Sequence, residues 1–456
     1  MDYGLQGLGD KRLDAIFTLL VQRASDCGRL VVRQLAFGRR EEVKFGRFLG
    51  NTRFSFMDMV NSAVKLMGAA CAGRHVLLIE DTSEISFGNA PFQQGLAMVG
   101  NGVEMGFYLH PVIAMDADEH LCLGLAGLEV FKRAPRTQHR DKLAFEDKQS
   151  FRWLSSARSA RSHCATARAH TVVTDREGDI YEALCGYGDS KLNFVVRCWH
   201  NRPLAEGLDA TALRDLINAW PLAGVHECAL PRTDKRSAHT ARLEIKYGVA
   251  ALARPTRSTT KHLPTSLPVY VVDVRESADT VVNSEQPIHW ILLTSHQVDS
   301  LDMARQITLY YAKRWTIEQV FRVLKSQGLH LQNALQHTFE NLAKLAVVGL
   351  LAAVRVLQLV SARNHPEAPM AMAFDEQQSK VIEMLSPALE GKTLIQMNPH
   401  RPKTLAFAAW VVARLGGWKG YSKSERPPGP ITMWIGLQKL QEYLQAFELF
   451  SKPDDT

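Results

Sequence analysis

The chain lacks any Cys-x2-Cys pair: its seven cysteines, Cys27, Cys71, Cys122, Cys164, Cys185, Cys198 and Cys228, are odd in number and scattered. That spacing argues against a disulfide framework and a structural zinc site, leaving reduced core thiols in a cytosolic protein as the expectation. His163, His200 and His226 also lack zinc spacing and read as surface groups, open to solvent or to a charged partner. No export leader is expected, because Met1-Asp2-Tyr3-Gly4 opens no succession of basic, apolar and small residues. The longest apolar stretch, Leu345 to Val354, is bounded by Lys344 and Arg355. It falls well short of the ~20 residues that a membrane-spanning helix needs, so it reads as a buried helix, and no membrane partner is expected. No internal repeat is visible. With 46% hydrophobic and 22% charged residues, neither wholesale disorder nor a collagen-like repeat is indicated.

What is present is size and positive charge. At 456 residues the chain exceeds one ordinary core, and a scale of ~100 to 200 residues per domain suggests two to four. A net charge of +7 makes a polyanionic partner plausible. Residues 1–62 read as a helical module, with Leu13, Ile16, Phe17, Leu20 and Val21 at helical spacing. Lys11, Arg12, Arg23, Arg29, Arg33, Arg39, Arg40, Lys44, Arg47 and Arg53 are interleaved with them, a density that suits phosphate contact.

A mixed α/β pattern follows over 63–363. The nearly all-apolar run His75 to Ile79 suits a strand buried on both faces and ends in Glu80-Asp81-Thr82-Ser83. Phe107 to Ala114 and Leu121 to Val130 are further strands, then a helical stretch spans about 140–161. The strand Ala169 to Thr174 ends in Asp175-Arg176-Glu177-Gly178-Asp179, and Asn193 to Arg197 is the next strand. From about 199 to 286 the texture becomes that of an antiparallel β insertion, made basic by Arg232, Lys235, Arg236, Arg242, Lys246, Arg254, Arg257 and Lys261. A strand returns at Trp290 to Leu293. One long helix is expected over 301–325, a second over 339–363, and a helical tail over 364–456, interrupted by Arg426-Pro427-Pro428-Gly429-Pro430.

In a helix of ~100° per residue, Tyr311, Arg314, Glu318, Arg322 and Lys325 share a stripe of roughly 80°. One carboxylate among three cations and a phenol suits a metal-binding Glu whose neighbours grip phosphate. A solvated face with Arg314–Glu318 and Glu318–Arg322 ion pairs accounts for the same stripe. Asp81 and Asp175 each follow an apolar strand, where a sheet presents ligands at its edge; either could instead cap a turn. Their conjunction with Glu318 favours a divalent-metal site. Asp179 and Glu80 are the rival ligands, and both read as structural, since Glu80 points to the opposite strand face from Asp81.

Tyr311-x2-Arg314-x3-Glu318-x6-Lys325 resembles, at every defined position, the signature of DDE transposases of the IS-four family, and the chain is similar to the Tn-five branch. The resemblance extends to Ile79-Glu80-Asp81-Thr82, to Thr174-Asp175-Arg176-Glu177, to Gly9-Asp10-Lys11-Arg12 with Arg47-Phe48, and to Pro430-x-Thr432-x-Trp434-x-Gly436-Leu437. It implies an RNase H-like catalytic domain with a β insertion, an amino-terminal end-recognition module and a carboxy-terminal helical dimerisation region. It further implies that Asp81, Asp175 and Glu318 hold two Mg²⁺ ions, for which Mn²⁺ can substitute, and that they cut and rejoin double-stranded DNA. The implied substrates are terminal inverted repeats and target DNA, handled by a homodimer in the bacterial cytoplasm, with a hairpin intermediate. Tyr311, Arg314, Arg322, Lys325, Trp290, Arg197, Arg202, Lys11, Arg12 and Arg47 are the implied DNA contacts, Trp290 stacking on a flipped base or else serving as a core aromatic. The lead before Gly9-Asp10 is shorter than the family pattern, so the expectation is either that part of the first DNA-contacting helix is absent or that the start site differs. The tail residues Phe407, Trp410, Val411, Val412, Leu437, Leu440, Tyr443 and Leu444 suit either a dimer contact or packing on the catalytic domain. The other classes kept are a stand-alone RNase H-like nuclease and a transposase-derived DNA-binding repressor.

Overall fold

The computed structural model describes residues 5–89, 92–133, 143–206, 210–230, 237–256, 260–282, 285–325, 328–362, 365, 367–420 and 427–451. Of the basic residues expected in the insertion, Arg232, Lys235, Arg236 and Arg257 lie outside them.

The amino-terminal helices are α1 (Lys11–Cys27), α2 (Val32–Leu35), α3 (Arg39–Leu49) and α4 (Phe56–Ala70). Asp10 caps α1 by accepting from the Arg12 amide, and Gly28, at φ +70, ends it in the left-handed conformation that glycine tolerates. A capping box between Ser55 and Asp58 starts α4, which runs through position 62, so a module boundary there falls inside a helix.

Among the described residues eleven strands form one sheet. β1 (His75–Glu80), β2 (Ser83–Ser86), β3 (Ala97–Val99), β4 (Glu104–Asp116) and β5 (Cys122–Phe131) make an antiparallel portion centred on β4. After α5 (Arg152–His163) come β6 (Ala169–Thr174), α6 (Tyr181–Asp189) and β7 (Asn193–Arg197), with β6 parallel to both β1 and β7. A parallel pair needs a crossover, which α6 supplies. Beyond α7 (Leu213–Ala219), β8 (Gly224–Leu230), β9 (His239–Ala253) and β10 (Ser266–Glu276) are antiparallel, as the insertion's alternating texture predicts. They do not stand apart: β11 (His289–Thr294) joins β10 to β7, so the order β2-β4-β1-β6-β7-β11-β10-β9-β8 is continuous.

The expected single helix over 301–325 is two, α8 (Leu301–Ala312) and α9 (Trp315–Leu324). The amides of Arg314, Thr316 and Ile317 bond three residues back, to Tyr311, Lys313 and Arg314, which tightens the turn and re-aims α9. α10 (Phe339–Ala362), 24 residues long, is the second helix expected over 339–363, and it extends the apolar stretch 345–354 at both ends. Its length and composition would suffice to cross a membrane, yet 78% of its most apolar window is buried inside the protein. Lys344 and Arg355 are buried with it and bond to backbone carbonyls. The tail folds as α11 (Glu376–Leu389), α12 (Leu405–Leu415) and α13 (Pro430–Ser451).

Period-two alternation divides the core. Leu77 and Ile79 of β1 face a cluster that includes α1, α10, α12 and α13, whereas Val76 and Leu78 face α5 and α6. Phe407, Trp410, Val411, Val412, Leu437, Leu440 and Leu444 are all buried in the first cluster, leaving Tyr443, at 48% exposure, as the outward-facing member of that set. Packing within the chain therefore accounts for those seven residues, whereas Met384, Leu394 and Ile395 elsewhere in the tail are exposed.

Candidate active site

Two strand ends and one helix start build the site. β1 and β2 follow β4 in one register, Glu80 opposite Val112 and Ser83 opposite Leu109, which sets Asp81 opposite Pro111 and Thr82 opposite His110. The ladder lapses there, opposite a residue with no N–H to offer. Asp81 is freed from regular pairing on the face of Leu77 and Ile79, and its Oδ1 accepts from the Thr82 amide at 2.8 Å. Glu80 lies on the other face, fully buried, where its carboxylate accepts from Ser156 Oγ at 2.8 Å and lies 3.2 Å from His110 Nε2. Burial pushes Glu80 well up and His110 down to about 3, and His110 Nδ1 reaches Thr82 Oγ1 at 2.9 Å. This polar network backs the break in the strand that carries Asp81.

Asp175 follows β6 and caps the turn Arg176–Gly178, its Oδ1 accepting from the Glu177 amide at 2.8 Å. Oδ2 has no protein partner among the described residues. The turn is tight enough that a Cβ on Gly178 would sit 2.2 Å from Thr174 Oγ1. Asp179, by contrast, is buried and committed: it accepts from Arg202 Nε at 2.7 Å and from the Trp199 and His200 amides at 2.8 and 3.2 Å. Arg202, expected as a DNA contact, is thus 8% exposed and engaged inside the fold, because the strand-end turn needs its charge there.

Arg314 brings the third carboxylate in. Its Nη1 lies 3.0 Å from Asp81 Oδ2 and its Nη2 3.1 Å from Glu318 Oε1. Burial pushes the Asp81 carboxyl up to about 7; Asp175 and Glu318 add to this by repulsion, and Arg314 opposes it. Glu318 is the most open of the ion-paired group, at 38% side-chain exposure against 12% for Arg314 and 13% for Asp81. Tyr311 is buried, its phenol beside Arg197 and its ring edge-on to half-buried Trp290 at 5.1 Å. Lys325 is half-buried, its ammonium pushed down by burial against the pull of Glu84, Glu318 and Asp81. Arg322 is exposed, as are Lys11, Arg12 and Arg47 on the amino-terminal helices.

Among the described residues no three His, Cys, Asp or Glu side chains close into a ready metal cage. Asp81 and Asp175 nevertheless offer hard oxygen donors whose repulsion a divalent cation would relieve. Mg²⁺ accepts one or two carboxylates and completes its shell with water and substrate phosphates. The donor set fits such an ion, with Glu318 tied to Arg314.

Residues 195–355 match the family model described as the transposase DDE domain. The match supports a DDE transposase, a class of nuclease that uses divalent metal ions and acts on DNA, and the mixed sheet with helices is consistent with it. It spans β7 to α10 and so contains Trp290, Tyr311, Arg314, Glu318, Arg322 and Lys325, while Asp81 and Asp175 lie amino-terminal to it. Arg176 and Trp199 are the site neighbours that the sequence reading missed. Arg176 stood in the quoted motif, but Trp199 carried no spacing signal.

Proposed function

We propose that the chain is a cut-and-paste DNA transposase of the IS-four type whose catalytic carboxylates are Asp81, Asp175 and Glu318. The observation that carries this reading is the convergence of Asp81 and Glu318 on Arg314 from segments far apart in sequence, with Asp175 near enough to Asp81 to repel its charge, and with both aspartates outside the matched segment. The five-strand portion β5-β4-β1-β6-β7, with its antiparallel and parallel halves, supports an RNase H-like catalytic domain, and β8 to β10 correspond to its β insertion.

In this reading Asp81, Asp175 and Glu318 would hold two Mg²⁺ ions, Glu318 being at present paired with Arg314. Bound there, divalent ions supply an activated water or 3′-hydroxyl and stabilise the leaving oxygen. The chain's own residues do the rest. Lys325, Arg322 and Arg197 grip phosphates, Arg314 passes from carboxylate to phosphate, and the Trp290–Tyr311 pair offers a face for a base extruded during hairpin formation. Lys11, Arg12 and Arg47 contact the element end through the amino-terminal helices. Because both ends must be held before release, two copies act together.

A supercoiled plasmid carrying the gene with its native flanking DNA, incubated with purified protein and Mg²⁺, tests the proposal. Paired cuts at short inverted repeats and joined products are expected. Cuts without joining would indicate a stand-alone nuclease, and binding without cuts a repressor.

A further inference from the structure

We propose that Arg176 and Trp199 form a stacking platform for an unpaired DNA base beside Asp175, separate from the Trp290–Tyr311 pair. The inference rests on the reading of this chain as a DNA-cutting enzyme and adds a second base-binding position to it.

Trp199 is 52% exposed, a large ring left open to solvent just beyond the end of β7. The Arg176 guanidinium lies 4.6 Å from the ring centroid, so one face is already stacked and the remaining exposure belongs to the other face and edge. The backbone beneath is fixed. The Trp199 amide donates to Asp179 Oδ2 at 2.8 Å, buried Arg202 clamps Asp179, and Arg214 Nη2 donates to the Trp199 carbonyl at 3.3 Å. A buried ion pair therefore holds an exposed indole in place, which limits the ordering cost of binding.

The surroundings choose the occupant. Arg176 directly follows Asp175, and its charge is disfavoured by burial and by neighbouring Arg197. With Arg214 at the Trp199 carbonyl, cations gather at this turn beside carboxylates suited to phosphodiester chemistry. An aromatic face among arginines at a backbone-binding groove suits an unpaired base, since every base offers a π-face and a paired base offers none to a side chain. Strand separation next to the scissile phosphate would deliver such a base.

The test is equilibrium binding of the full chain, in EDTA, to a short duplex with and without a single-stranded oligothymidine tail. Wild type should prefer the tailed duplex. Trp199→Ala should weaken tailed binding by about 5- to 150-fold, the range for one stacked base, and change fully paired binding by no more than about twofold. Trp199→Phe should keep most of the preference, and Arg176→Ala, which removes no core contact, should lose part of it. Equal weakening on both duplexes, or no change on either in both the Trp199→Ala and Arg176→Ala proteins, would overturn the platform while leaving the nuclease reading intact. Failure of wild type to bind either duplex would instead overturn the reading on which the platform rests.

Discussion

Arg314 reaches Asp81 across 233 positions of chain, its Nη1 3.0 Å from the carboxylate, and the same guanidinium holds Glu318 at 3.1 Å. A permanent cation thus sits between two carboxylates that a divalent ion is expected to share. Arginine and metal compete for the same oxygens.

Replacing Arg314 by Gln should therefore tighten divalent-ion binding. At saturating Mg²⁺ a tenfold gain in affinity adds about 1.4 kcal/mol of ligand-linked stability, on the order of 2 °C in melting temperature for a chain this long. The measurement is the Mg²⁺-induced shift in melting temperature relative to EDTA, compared between the two proteins. An equal or smaller shift in Arg314→Gln would show that the guanidinium does not occupy the metal's place.

A second titrating cluster lies at the amino-terminal ends of β1 and β6. Thr171 Oγ1 sits 2.8 Å from both His75 Nε2 and His296 Nε2, and Tyr310 packs against both rings. Burial, with His75 adding to it, pushes His296 down to about 4; burial also pushes His75 down against the pull of Asp118, with Arg168, Asp116 and His170 nearby. An unfolded imidazole protonates near 6.5, so between about pH 6.5 and 4 the unfolded chain takes up protons that the folded one refuses. The histidines' own contribution to stability should be flat above that window and fall within it, by on the order of 2–3 kcal/mol for His296 alone at its lower edge, while the raised Asp81 carboxyl contributes with the opposite sign as pH falls through about 7. Urea unfolding across pH checks this: wild type should lose stability relative to His296→Gln as pH falls from about 6.5 to about 4, and a difference independent of pH would contradict the assignment.

Lys344 sits on α10 at 1% exposure, its ammonium donating to the Leu49 and Asn51 carbonyls at 3.3 and 2.6 Å and lying 4.4 Å from the Phe54 ring centroid. It closes the carboxy-terminal end of α3 and ties the amino-terminal helices to the central one. Lys344→Ala should cost about 2–4 kcal/mol in urea unfolding, because it leaves buried acceptors unpaired and opens a cavity. A loss below about 0.5 kcal/mol would mean that the contact is incidental.

The strands were legible because buried strands read as apolar runs: β1, β6, β7 and β11 lie within one or two residues of their expected limits. Asp81, Asp175 and Glu318 were legible as residues at strand ends and on a polar helix stripe. What sequence periodicity could not show was set by tertiary contact. The break between α8 and α9 follows from hydrogen bonds three residues back around Arg314, whose side chain is drawn to Asp81, and an ideal helical wheel carries no trace of that pull. Arg202 looked like another surface cation because nothing in its neighbours announces that Asp179 needs a buried partner. α6 is short and its charges obscure its apolar face, although the parallel strands on either side required a crossover.

The central claim is that Asp81, Asp175 and Glu318 act as one catalytic set, and the most direct measurement is Mg²⁺-dependent strand cleavage by Asp81→Ala, Asp175→Ala and Glu318→Ala on flanking DNA, with binding followed in parallel. Each variant should lose cleavage by at least about a thousandfold while binding the DNA within about threefold of wild type, because each removes a metal ligand and no phosphate contact. Cleavage near the wild-type rate in any one of them would remove that residue from the site and contradict the account.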